Sequence, residues 1–215
     1  MGRPVLFVLA GVNGAGKSSV GGQVLVQAGL DGFNPDSFAR ELLDLIGCSQ
    51  ADANTLAWTE GLRRLDEAVA QGRSHAFETT LGGKTLVARI EAAARSHEVM
   101  VWYGGLVTPE QPVARVKARV AAGGHDIPEA TVRARWQTLM ANLIRLLPHL
   151  AQLQGYDHSD QAAAGETIRD PVLLAERVAG RFVGPVDAES LRRTPDWAKP
   201  LLEAALSLGD GAASS

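Results

Sequence analysis

The sequence has 215 residues, 46% hydrophobic and 21% charged, which is enough for one domain with a substantial core. A net charge of −3 gives no general attraction to nucleic acid or an anionic membrane surface, and no apolar run approaches bilayer-spanning length. The single cysteine, Cys48, excludes an intramolecular disulfide, and a first strand expected from residue 4 leaves no room for a signal peptide, so a cytoplasmic protein is expected.

Val5 to Leu9 are five consecutive apolar residues, the pattern of a strand buried on both faces. Gly11-Val-Asn-Gly-Ala-Gly-Lys17-Ser18 follows at once and fits G-x-x-x-x-G-K-[ST]. Glycines let backbone N–H groups turn inward and approach phosphate without a Cβ in the way. Gly11, Asn13, Gly14, Ala15, Gly16, Lys17, Ser18 and Ser19 are therefore candidate nucleotide-binding residues. In such a loop the lysine reaches the β- and γ-phosphates and the serine hydroxyl ligates a cation, so ATP and Mg²⁺ are expected, with Ser18 as metal ligand. The helix expected over 18–28 would aim its positive end at the same phosphates.

Asn34-Pro-Asp36 reads as a turn, with Asp36 able to cap the next helix, whose apolar side carries Phe38, Leu42, Leu45 and Ile46. A second helix is expected over 49–71, packed through Leu56, Leu62, Leu65 and Val69. A short strand then ends at Glu78-Thr79-Thr80. A helix over 84–96 and an apolar strand over 99–106 come next. A helix over 110–122 follows, then a Gly123-Gly124 break and a helix from Pro128 with Val132, Trp136, Leu139, Leu143 and Leu147 inward. A last strand near 153–156, helices over 170–181 and 197–207, and a small polar tail over 209–215 complete the chain. The alternation predicts an α/β P-loop NTPase or kinase fold, a parallel sheet with helices on both faces. Residues 1–208 form its single domain, and 110–147 a helical arginine lid. Ligands belong at the strand C-termini.

Phosphoryl transfer to a hydroxyl needs a carboxylate at the acceptor and positive charge over the γ-phosphate. Asp36 is the candidate base, its other reading being a plain helix cap. Glu78, Thr79 and Thr80 form a polar group at a strand end and are candidate substrate ligands, with Glu78 the alternative base. Residues 115–135 hold five of the 21 lysines and arginines against two acids, Asp126 and Glu129. Arg119, Arg133 and Arg135 are the lid candidates, arginine matching phosphate bidentately. Two residues apart on a helix point about 200° apart, so Arg133 and Arg135 cannot both face the phosphates. Arg133 is expected there because Arg135 adjoins Trp136, and Arg135 is kept as a substrate-binding candidate. His125 reads as a hinge hydrogen-bonder.

Asn34-Pro-Asp-Ser-Phe-Ala39, Phe77-Glu-Thr-Thr-Leu81 and Arg119-Val-Ala-Ala-Gly-Gly-His-Asp-Ile-Pro-Glu129, in this order behind the P-loop, resemble the zeta-toxin family of P-loop kinases over about residues 5–160. The resemblance implies ATP on the P-loop, Asp36 as base and lid arginines on the phosphates. It further implies a nucleotide-sugar acceptor such as UDP-N-acetylglucosamine and an antitoxin partner. Asp157-His158-Ser159 stands where relatives carry Asp-Asn-Ser. The alternatives are a P-loop ATPase or nucleotide-binding protein without kinase activity, or a kinase acting on a nucleoside or antibiotic hydroxyl. Nucleic acid and membranes are not expected partners.

Overall fold

The computed structural model describes residues 2–17, 25, 29–30, 32–121, 126–160 and 170–210. Seven strands form one sheet in the order β2-β3-β1-β4-β5-β6-β7: β1 Val5–Gly11, β2 Gly32–Phe33, β3 His75–Thr79, β4 Glu98–Gly105, β5 Gln152–Asp157, β6 Val172–Val178 and β7 Arg181–Gly184. The helices are α1 Pro35–Ile46, α2 Gln50–Ala70, α3 Lys84–Ala93, α4 Glu110–Ala121, α5 Glu129–Leu146, α6 Ala188–Arg193 and α7 Lys199–Asp210.

β1 lies between β3 and β4, parallel to both, with Val8 opposite Phe77 and Val101. Its side chains alternate between two cores. Leu6, Val8 and Ala10 join Val99, Val101 and Tyr103 on one face, while Leu9 joins Trp102, Ala76 and Leu25 on the other. Both faces are covered, which is why the strand reads as an unbroken apolar run rather than an alternation. The chain leaves β1 toward β2 and β3, then returns past it to β4 and β5. The loops at the carboxyl ends of β1, β3, β4 and β5 therefore meet at one edge, where an open α/β sheet binds ligands.

The sheet is not parallel throughout. β6 and β7 run antiparallel, and residues 172–178, expected as helix, are a strand. Ala179 and Gly180 have φ of 48° and 80° and make a two-residue turn of the kind that matches hairpin twist. Arg177 anchors that hairpin, donating to the carbonyls of Leu147 at 2.7 Å and Gly180 at 2.8 Å. Leu56, expected in the core, is exposed, as are Leu45 and Ile46.

α4, α5 and Ile127 just before α5 share a small core of their own, Val113, Val116, Ile127 and Val132. α5 then runs into the main core through Leu139, Leu143 and Leu146, with Trp136 half-buried beside them. The Gly123-Gly124 break and His125 lie outside the described residues, as do 211–215; residues 209 and 210 belong to α7. No helix among the described residues is long and apolar enough to cross a membrane.

Candidate active site

At the end of β1 a Cβ on Gly11 would stand 2.5 Å from the Gly104 carbonyl oxygen, so glycine is what lets β1 and β4 finish side by side. The loop turns back through Gly14 and Gly16, both at positive φ, and brings Lys17 beneath it. Lys17 is only 6% exposed; its Nζ donates to the Val12 carbonyl at 3.0 Å and lies 3.5 Å from Glu78 Oε1. Burial draws its pKa below the ordinary lysine value, and Arg135 adds to that, while Glu78 and Asp36 act against it. Glu78 Oε2 accepts from Asn34 Nδ2 at 2.7 Å. Asn34 Oδ1 in turn accepts from the backbone N–H groups of Asp36 at 2.8 Å and Ser37 at 3.1 Å. The P-loop, the end of β3 and the start of α1 are thereby joined through side chains.

This pattern corrects the expectation that Asp36 caps α1. Asn34 is the cap and Pro35 the first helical residue, which leaves the Asp36 side chain exposed at the second position. Thr79 spends its hydroxyl on a turn, accepting from the Leu81 N–H at 3.0 Å.

On the lid side, Arg115 donates to the carbonyls of Gly14 at 2.8 Å and His158 at 2.7 Å, holding α4 against the P-loop. Burial lowers its pKa, with Asp157 opposing. His158 wedges beside Gly16 and Gly104, its ring edge-on to Trp102 at 5.1 Å, and its Nε2 is buried without a hydrogen-bond partner. Burial, helped by Arg115 and opposed by Asp157, pulls the imidazole pKa down to about 4. Arg135 Nη1 donates to Asn13 Oδ1 at 3.3 Å; burial lowers its pKa, with Asp36 opposing.

Three cavities share this edge. One of about 360 Å³ is lined by the P-loop together with Lys17, Arg40, Arg115 and Arg119, four cations against Asp36 and Glu78. That donor set fits a polyphosphate. A second of about 130 Å³ holds Asp36, Glu78, Thr79, Thr80 and Arg135 over an apolar floor of Phe33, Leu62, Phe77 and Leu86. A third, of about 480 Å³, continues outward between α2 and the start of α5. A larger hollow of about 780 Å³ opens beside β2, among Glu41, Arg63, Arg64 and His75, but contains neither Lys17 nor Asp36. Its Arg63 and Arg64 are paired with Glu60, so it has the weaker claim to chemistry.

A family described as AAA domain, AAA_33, matches residues 6–145, from β1 to the end of α5. The chain belongs to the AAA_33 family. No curated protein matches it. Among solved structures it is similar to AvrRxo1-ORF1:-ORF2 with ATP, 18% identical with a TM-score of 0.65, over 95% of this chain and 64% of that one. It is also similar to a structure of the PezAT chromosomal toxin–antitoxin system of Streptococcus pneumoniae, 17% identical with a TM-score of 0.57, over 79% and 74% of the two chains. A chain of the Pnkp1/Rnl/Hen1 RNA repair complex is 16% identical with a TM-score of 0.51, over 67% and 47%. At these identities the likeness shows a shared P-loop kinase-like fold.

In this AAA_33 chain the fold gathers most of the residues that the sequence singles out. Gly11, Asn13, Gly14, Ala15, Gly16 and Lys17 form the loop, while Ser18 and Ser19 lie outside the described residues. Asp36, Glu78, Thr79, Thr80 and Arg135 share one cavity, and Arg119 lines the phosphate-side one. Arg133 does not join them. It is 40% exposed and bonded to Glu110 at 3.0 Å and Glu129 at 2.9 Å, which hold its pKa above the ordinary arginine value. The expected order of the pair is reversed: Arg135 faces the site and Arg133 faces a surface ion-pair group. Arg40, Arg115 and Asn34 are polar residues of the site that the sequence reading did not place there.

Proposed function

We propose that this protein is an ATP-dependent kinase that transfers the γ-phosphoryl group to a hydroxyl of a small molecule. The observation that carries this reading is the juxtaposition of a cation-lined P-loop cavity with a carboxylate-lined pocket, the two sharing Lys17, Asp36 and Glu78. An ATPase that only hydrolyses needs no such second pocket.

Bound ATP would supply the phosphoryl group and Mg²⁺ its charge neutralisation, with Ser18 the residue expected to hold the metal. Among the described residues no trio of His, Cys, Asp or Glu could hold a metal, but a cation carried on phosphate oxygens and one hydroxyl needs none. Lys17 gives up part of its contact with Glu78 to meet the phosphates. Asp36 accepts the acceptor's hydroxyl proton as the new O–P bond forms and the bond to the departing diphosphate breaks. Arg119 and Arg135, from the two lid helices, stabilise charge on the transferred group. Glu78, bonded to Asn34 and Lys17, orients rather than deprotonates. A nucleotide sugar such as UDP-N-acetylglucosamine is the acceptor that the zeta-toxin resemblance implies. A restraining protein partner belongs to the same reading, supported by the likeness to PezAT.

Release of ADP across a panel of nucleotide sugars, nucleosides and aminoglycosides tests the proposal. At least one acceptor should stimulate turnover, and Lys17→Ala should abolish it. Acceptor-independent ADP release that survives Lys17→Ala would overturn the assignment.

A further inference from the structure

The outer cavity, of about 480 Å³, belongs to the site yet takes no part in the chemistry just described. One wall is a single face of α2, where Gln50, Asn54 and Trp58 follow one another at four-residue spacing. The facing wall is the start of α5, with Pro128 and Thr131. Trp58, Pro35, Asp36 and Arg135 line both this cavity and the inner 130 Å³ pocket, so a molecule with its hydroxyl at Asp36 and its body in the outer cavity would lie beside Trp58.

Trp58 is 40% exposed even though it lies against Gly83, where an added Cβ would come within 3.6 Å of the ring. A half-bare indole at the junction of two cavities offers a flat apolar face for ring stacking. Beside it, Gln50 Nε2 donates to Asn54 Oδ1 at 3.0 Å. This leaves the Gln50 carbonyl as acceptor and the Asn54 amide as donor, the pair of groups that reads the edge of a base.

Charge sets the third constraint. Among the described residues this cavity carries Asp36 and Asp126 against Arg135 alone. The cations that suit phosphate, Lys17, Arg40, Arg115 and Arg119, line the phosphate-side cavity instead. A diphosphate lying across Asp36 and Asp126 would meet net repulsion.

We infer that the outer cavity is the acceptor's ring subsite, with Trp58 as its stacking wall, and that the acceptor is a phosphate-free nucleoside rather than a nucleotide sugar. This rests on the kinase reading and narrows its substrate.

The test is calorimetric titration of the full chain, loaded with Mg²⁺ and the non-hydrolysable ATP analogue AMP-PNP, using adenosine, guanosine, cytidine, uridine and UDP-N-acetylglucosamine as probes. At least one nucleoside should bind about tenfold or more tightly than UDP-N-acetylglucosamine. Trp58→Ala should weaken that nucleoside about tenfold or more and Trp58→Phe about threefold or less, the scale of base stacking on an aromatic side chain. AMP-PNP affinity should be unchanged in both variants, which also reports that they fold. The inference is overturned if no nucleoside binds, if UDP-N-acetylglucosamine binds more tightly than all four, or if Trp58→Ala leaves nucleoside affinity intact. Failure of the wild-type protein to bind AMP-PNP would instead remove the kinase reading beneath it.

Discussion

Asn34 and Asp36 stand two residues apart at the start of α1, and the structure divides their work sharply enough to test. Asp36→Asn keeps the side chain's size and disturbs no capping bond, since both are accepted by Asn34. What it removes is one negative charge at an exposed helix N-terminus, a contribution of about 0.3–1 kcal/mol. For a chain of this size that lowers Tm by roughly 1–4 °C. A catalytic base, by contrast, is worth about 10²- to 10⁴-fold in rate. Asn34→Ala should behave in the opposite way. It deletes a helix cap, about 0.5–2 kcal/mol, and strips Glu78, only 13% exposed, of a hydrogen-bond donor, a further 1–3 kcal/mol or so. A Tm loss on the order of 10 °C follows. Melting curves together with kcat on the best acceptor from the ADP-release panel separate the two. If Asp36→Asn retains kcat within about threefold, Asp36 is not the base; if it melts as low as Asn34→Ala, the division of labour is wrong.

The arginine pair gives a second contrast: Arg135→Ala should lower kcat about 10²-fold or more, Arg135→Lys should not restore it, and Arg133→Ala should stay within about threefold of wild type. Equal losses at both positions in steady-state kinetics would contradict the observed placement. His158 predicts a pH dependence of stability. Its ordinary value of 6.5 falls to about 4 in the fold, so between those values the unfolded chain binds a proton that the native state does not. Tm should therefore decline as pH drops through this window, and His158→Asn should flatten the decline; parallel pH profiles for the two proteins would remove His158 as its source.

The P-loop as far as Lys17 is legible because its chemistry is local: glycines at fixed spacing behind a doubly buried strand leave little other reading. The carboxylate cluster was legible because parallel strands bring their ends to one edge. Ranking Arg133 ahead of the substrate-binding candidate Arg135 passes over the helix phase of Arg135. It falls three residues after buried Val132 and four before buried Leu139, on the inward stripe of α5. Arg133 lies four residues after Glu129, the spacing of a surface ion pair. The hairpin of β6 and β7 was harder. Val172 to Val178 is four apolar residues followed by Glu176, Arg177 and Val178, a short segment that suits either structure, and what decides it is non-local, pairing with β5. Its turn also places Ala179 at positive φ, a position where glycine or asparagine is the usual marker. Arg115 was hidden because its partners are backbone carbonyls more than forty residues away.

The arrangement around Lys17 bears on why two carboxylates occupy one pocket. Glu78 is held on both oxygens, by Lys17 on one and Asn34 on the other, contacts that fix its orientation. When Lys17 moves to the phosphates, Asn34 still fixes Glu78, because Asn34 is itself held by two backbone N–H groups of α1. The acceptor wall thus keeps its shape while the lysine changes partners. Asp36, two residues beyond Asn34 and exposed to the cavity, has no such hydrogen-bonded tether among the described residues. In the proposed kinase, a carboxylate fixed by hydrogen bonds beside an exposed one would let the same pocket orient a hydroxyl and deprotonate it, two tasks that are hard to combine in a single side chain.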